Sequence, residues 1–174
     1  MAEKKVVALW LVPAGPEKQL FSALIRILAR ELNAPLFEPH VTLFLSAMRP
    51  AEARRLLKQV CSAQILLKVG AVSYSGRFTK TLFVRLRSGP RLKDLLKELS
   101  GKAGRRVPKL RDPHLSLCYK KLSLSAKREL ASAIKLPFKK VRFDVIKAVN
   151  CVSPTKNAKE VRAWRAIATR NLGA

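Results

Sequence analysis

Two rhythms of apolar residues alternate along the chain. Residues 5–13 (KVVALWLVP) form a short, nearly unbroken apolar run rich in Val, Leu and Trp, which predicts a buried strand. Residues 16–33 change period. Leu20, Leu24, Ile27, Leu28 and Leu32 recur at spacings of three and four, Pro16 suits a first turn and Asn33 can end it, so this segment is predicted helical with those residues inward. The period returns to that of a strand at 39–46, to a helix at 49–62, and then to a strand pair, 64–76 and 78–87, turning near Ser75-Gly76. A helix over 90–104 ending in Gly, a strand over 113–119, a helix over 123–135 and two closing strands, 138–152 and 161–170, complete the order.

Strand, helix, strand, helix, strand thus occurs about twice. The offsets agree: His40 lies 30 residues after Trp10 and His114 lies 31 after Phe83, each aromatic following a leucine in an apolar strand. Such self-similarity predicts one bilobal domain of two pseudo-repeats, about 1–76 and 77–174, related by a pseudo-twofold axis. The expected class is α/β (α+β), two mainly antiparallel sheets lining a central cleft with helices outside.

The repeat also carries the chain's only histidines. His40 sits in FEPHVTLF and His114 in RDPHLSLCY, both within the phrase Pro-His-aliphatic-Thr/Ser-Leu. In a strand His40 and Thr42 share one face and Val41, Leu43 and Leu45 the other; His114 and Ser116 are likewise opposed to Leu115 and Leu117. One such histidine would be a hydrogen-bonded structural residue. Two at matching positions, using every histidine in the chain, predict a cleft with two imidazoles and two hydroxyls. A neutral imidazole accepts a proton from water, a charged one gives a proton to a leaving oxygen, and hydroxyls bond non-bridging phosphate oxygens. That set can open a phosphodiester without metal or cofactor. Glu38 and Asp112 each stand two residues before a histidine. Alternation could turn them toward the imidazoles, but Pro39 and Pro113 make these strand starts irregular, and both are read as surface-loop acids.

Other chemistries find little support. There is no GxSxG elbow or phosphate-binding Walker loop, and the acids are scattered rather than paired for a metal. Cys61, Cys118 and Cys151 form no CxxC pair and make no zinc site. So sparse and odd a set fits a reducing compartment, with Cys118 a small buried filler. The N-terminal MAEKKVVALWLVPAG mimics a secretory signal, but its apolar run is short and has a counterpart later in the chain; a strand and a cytoplasmic protein are expected. No segment approaches the ~18 apolar residues of a membrane span.

The charge changes the picture of the substrate. Thirty-six Lys and Arg face 11 Asp and Glu, a net +25. The basic residues are dispersed, so a solvated surface accounts for many, yet such a field attracts anions and keeps RNA in view as a ligand.

FEPHVT, the strand ALWLVP 30 residues before it, and PHLSLCY together resemble the two-histidine phosphoesterase superfamily, which is defined by two H-x-[ST] motifs in a bilobal α/β fold. The chain is most similar to its cyclic phosphodiesterase branch, associated with by-products of tRNA splicing, over nearly all of its length, from Trp10 to Trp164. The resemblance implies catalytic roles for His40 and His114, phosphate binding by Thr42 and Ser116, and substrate contacts from Trp10 and Tyr119, with no metal or cofactor. Alternation would turn Tyr119 away from His114 unless the strand bends after Cys118. The implied activity is hydrolysis of a ribose cyclic phosphate, either ADP-ribose 1″,2″-cyclic phosphate or a nucleoside 2′,3′-cyclic phosphate, by a monomer with no membrane attachment. The alternatives are an enzyme of RNA ends, like the related RNA 2′,3′-cyclic phosphodiesterases also called 2′-5′ RNA ligases, and a non-catalytic RNA-binding module.

Overall fold

The computed structural model describes residues 4–104, 106 and 110–173; the first three residues of the signal-like stretch lie outside them. The elements are β1 (Lys4–Pro13), α1 (Gly15–Leu32), β2 (Val41–Ser46), α2 (Pro50–Lys58), β3 (Ile65–Tyr74), a 3-10 turn (Phe78–Lys80), β4 (Leu82–Arg87), α3 (Pro90–Ala103), β5 (His114–Cys118), α4 (Leu124–Ala133), β6 (Lys140–Ser153), α5 (Ala158–Arg162) and β7 (Arg165–Asn171). Among the described residues no helix is long and apolar enough to cross a membrane.

The α/β class with antiparallel strands is as the sequence predicts, and the strands are joined more fully than two separate sheets would be. They run β1-β2-β5-β4-β3-β6-β7, and β6 also pairs with β1. The 14-residue β6 makes this possible. One edge pairs with β1; the other pairs first with β3, through residues 140–143, and then with β7, through 145–150. On the far side the circuit closes through one residue pair, Val41 of β2 opposite Leu115 of β5.

Burial follows from these positions. β1 lies between β2 and β6 and is apolar on both faces. Leu9 and Leu11 enter the main core, while Ala8, Trp10 and Val12 form a smaller cluster with Val149 on the other face. β4 alternates from Val84 onward: Leu82, Phe83, Val84 and Leu86 are buried, while Arg85 and Arg87 are exposed. Of the residues whose spacing predicts helix α1, Leu24, Leu28 and Leu32 pack on the main core. Phe21, Ile25, Leu28 and Ala29 are the buried residues of the helix, whereas Leu20 and Ile27 are 36% and 52% exposed. LFSALIRILA is apolar most of the way round, so spacing alone leaves the phase open.

Three other predictions needed correction. Leu45, expected on the apolar face with Val41 and Leu43, is 48% exposed, and Phe44 enters the core beside it. Residues 161–164 are not strand: Asn157 Oδ1 accepts from the Glu160 amide (3.0 Å) and caps α5, a helix too short to show a period. The strand predicted over 78–87 begins at Leu82, because Thr81 Oγ1 donates to the carbonyls of Phe78 (3.0 Å) and Arg77 (3.2 Å) and secures the 3-10 turn.

Phe143 sits where β6 changes partners. It lies opposite both Pro13 and Ile65 and is fully buried. Phe143→Ala should therefore lower unfolding free energy by about 3–5 kcal/mol, read from urea-unfolding midpoints; an unshifted midpoint would show that this junction is not part of the cooperative core.

Candidate active site

The pairing of strands assembles the site. In β1–β2, Trp10 lies opposite Thr42. In β4–β5, Phe83 lies opposite Ser116 and Arg85 opposite His114. Where β2 meets β5, the facing residues Val41 and Leu115 each follow a motif histidine, and both are buried in the core. Alternation then turns the residues flanking them to the opposite face. There Trp10, His40, Thr42, His114, Ser116 and Tyr119 all line one cleft of about 670 Å³. All six candidates from the sequence are thus brought together.

Each histidine is held in the same way. His40 Nδ1 is 2.6 Å from the Glu38 carbonyl oxygen, and His114 Nδ1 is 3.0 Å from that of Asp112. A carbonyl only accepts, so Nδ1 carries the proton and donates, leaving Nε2 as the basic nitrogen of each neutral ring. The intervening proline fixes its own φ and has no N–H, so it makes a stiff bridge between carbonyl and imidazole. The ring of His40 also stacks on Trp10, with centroids 3.7 Å apart and planes within 10°.

Asp112 is an exposed loop acid, as expected, while Glu38 is half-buried; both hold the imidazoles through their backbone carbonyls. The half-buried Glu38 carboxylate is gripped by Lys147 of β6 (2.7 and 2.8 Å) and Lys18 of α1 (3.0 Å). Asp112 pairs with Lys80, and with Arg85 of β4 at 3.5 Å. Burial alone would raise the Glu38 carboxyl, but Lys147 and Lys18 hold it below its ordinary value. Lys80 does the same for Asp112. At each motif, cations from other elements thus fix the acid whose carbonyl fixes the imidazole.

The environment keeps both imidazoles neutral. Burial pushes His40 down to about 4, against the opposing pull of the Glu38 carbonyl and carboxylate. Burial also lowers His114, helped by the charges of Lys80 and Arg77. Ser116 is buried and donates its hydroxyl hydrogen to the Thr79 carbonyl (2.9 Å), which leaves its oxygen lone pairs for other partners. Tyr119 reaches the cleft because β5 ends at Cys118, freeing it from strand alternation. It is buried, with its ring 4.0 Å from Phe37, and burial pushes its hydroxyl well above the ordinary range. Cys118 faces the core, where burial raises its thiol to about 11; this fits a filler rather than a nucleophile.

Several cleft residues were not singled out from sequence. Trp164 lines the cleft and meets Trp10 (5.2 Å) and Tyr119 (5.6 Å) edge-on; being one of two tryptophans was its only signal. Arg77 and Lys121 also line it, and nothing in the sequence separates them from 34 other basic residues.

The burial of His40 has a consequence for pH. Its folded pKa lies below its ordinary value of 6.5, so the unfolded chain binds the proton more tightly. The resulting stability is complete above about pH 6.5 and is lost as pH falls toward 4. Between pH 7 and pH 5 wild type should lose about 2 kcal/mol more than His40→Gln, measured by urea unfolding at each pH. Parallel pH dependences would contradict the burial of a neutral ring.

Comparison with known proteins agrees with the fold. The family model described as "Cyclic phosphodiesterase-like protein" matches residues 5–172. A cyclic phosphodiesterase of Arabidopsis thaliana is 26% identical over 176 residues, covering 98% of this chain and 97% of that protein. The fold resembles the crystal structures of E. coli LigT complexed with ATP (TM-score 0.59, 15% identity, 98% of this chain and 99% of that one) and with 3′-AMP (TM-score 0.60, 14% identity, 98% and 99%). It also resembles TT0787 of Thermus thermophilus (TM-score 0.56, 16% identity, 96% and 97%). The family match spans both histidine motifs and nearly every element described above: the chain belongs to the cyclic phosphodiesterase-like family, a phosphodiesterase group of the two-histidine phosphoesterases.

Proposed function

We propose that this protein hydrolyses a ribose cyclic phosphate, such as ADP-ribose 1″,2″-cyclic phosphate or a nucleoside 2′,3′-cyclic phosphate, to a phosphomonoester. The observation that carries this reading is the Val41–Leu115 pair, which sets the polar faces of the two histidine motifs side by side in one cleft. Water attacks phosphorus as Nε2 of one imidazole takes its proton. The bond from phosphorus to one ribose oxygen breaks, and the other imidazole, protonated, gives its proton to that oxygen. Both rings are held neutral in the free protein, so the acid gains its proton as the phosphate anion binds beside it; an opposite charge at that distance raises an imidazole pKa.

Thr42 supplies its hydroxyl to a non-bridging oxygen, and Ser116 does the same once its hydrogen turns from the Thr79 carbonyl to the bound phosphate. Trp10 fixes the His40 ring by stacking, and with Tyr119 it walls the space for the nucleoside. Arg77 and Lys121 at the cleft add positive charge for the phosphate. The proposed chemistry uses neither metal nor cofactor, and among the described residues no three His, Cys, Asp or Glu form a group that could hold a metal.

The test is turnover of these cyclic phosphates by wild type and site variants. His40→Ala and His114→Ala should each lower the rate by about 10² to 10⁴, the worth of a positioned acid or base. Thr42→Ala and Ser116→Ala should cost about tenfold or less, each losing one neutral hydrogen bond. Wild-type activity should survive EDTA. A His variant with near-normal turnover would end the catalytic reading and leave a binding module; loss on chelation restored by one metal would replace the mechanism.

A further inference from the structure

Three cations stand in one row across the sheet. Lys68 of β3 lies opposite Arg87 of β4 on one side and opposite Lys140 of β6 on the other. All three are exposed. Like charges directly opposite one another weaken an antiparallel ladder. Among the described residues none of the three has a carboxylate partner to offset that repulsion. A row that costs stability, with no internal counterion, is suited to an external anion.

The row continues from the active site. Arg85 lies opposite His114, and alternation along β4 places Arg85 and Arg87 on one face. Contacts agree: the Arg85 guanidinium lies 5.6 Å from the Phe83 ring centre, and that ring meets His114 edge-on at 5.4 Å. The other face of these strands, with Leu67, Val84, Leu86 and Val141, is core. Between Lys68 and Arg85 the path is bare because Gly70 lies there; a Cβ at that position would come within 3.2 Å of the Arg85 carbonyl oxygen and 3.3 Å of its Cβ. The file His114, Arg85, Arg87, Lys68, Lys140 crosses β5, β4, β3 and β6, about 14 Å at the usual strand spacing. None of its four basic residues lines the cleft.

We propose that this file is a subsite for the phosphate backbone of single-stranded RNA, so that the substrates include an oligoribonucleotide whose terminal ribose carries the cyclic phosphate. The proposal rests on reading the cleft as a ribose cyclic phosphate site. A line of single charges leading away from the group that handles that phosphate matches a ligand with further phosphates joined to the same ribose.

The experiment compares adenosine 2′,3′-cyclic phosphate with a penta-adenylate ending in the same group. The proteins are wild type, the triple variant Lys68→Gln/Arg87→Gln/Lys140→Gln, and a charge-matched control, Arg26→Gln/Lys93→Gln/Lys97→Gln, at exposed positions on α1 and α3. Wild type should show kcat/KM about tenfold or more higher for the oligonucleotide at low salt, falling with a log–log salt slope of about −0.7 per phosphate contacted. The triple variant should lose that advantage and keep its mononucleotide turnover; the control should retain both. Its melting temperature should be no lower than wild type, since the change removes repulsion. Equal treatment of both substrates by wild type, or an equal loss in the control, would overturn the subsite. Binding of 3′-AMP and of penta-adenylate 3′-phosphate is measured alongside. If neither cyclic substrate is hydrolysed, the catalytic reading fails, and the subsite is judged on binding alone: tighter oligonucleotide binding abolished in the triple variant supports it, equal affinities overturn it.

Discussion

Val41 and Leu115 meet across the join between β2 and β5, and they are the one residue pair through which those two strands meet. Both side chains enter the core, and so the His and Thr/Ser residues on either side of each must turn the other way. One apolar contact thereby sets the spacing of four polar groups. A shift of register by a single residue on either strand would bury a histidine motif in the core and leave its aliphatic residues in the cleft. Much of the molecule serves this join. β6 closes the opposite side of the circuit through its pairing with β1 and β3, and the helices cover the apolar face that the join requires.

The electrostatics follow the same logic at both histidine motifs. A dispersed positive surface would, by itself, disfavour a proton on either imidazole. Burial deepens that effect, and the rings rest neutral with Nδ1 committed to a carbonyl. The carboxylates of Glu38 and Asp112 are spent on lysines and an arginine instead of on the imidazoles, so that backbone, not side chain, sets each tautomer. The anion able to charge one ring is then the substrate itself. On this account the cations behind Glu38 and Asp112 determine where the rings stand, while the row from Arg85 to Lys140 concerns what else the bound molecule carries.

The motif phrase, most of the order of elements along the chain and the helix-flanked antiparallel class were legible in the sequence because each depends on local period or on two rare residues placed alike. What was not legible depended on packing. The phase of α1 was hidden because apolar residues surround most of the helix, and only contact with the sheet selects Phe21 and Ile25 over Leu20 and Ile27. α5 spans five residues, too few to display a helical period. Tyr119 could not be placed by alternation, since the strand stops one residue before it. The acids before the motifs looked like surface-loop residues or side-chain partners of the histidines; their carbonyls hold the rings, a role that no side-chain pattern reveals. Arg77 and Trp164 come to the cleft from segments distant from both motifs by tertiary contact alone, whereas Lys121 follows β5 directly.

The central claim is that two imidazoles share one phosphate, and the chain suits a direct test because it has only two histidines. Imidazole ¹⁵N resonances would be followed while a ribose phosphomonoester, the product of the proposed reaction, is added at pH 7. In the free protein both rings should report the neutral form protonated on Nδ1. Both sets of signals should then move with one common dissociation constant, and one ring should take up a proton. Movement of one histidine alone, or of neither, would contradict the shared site.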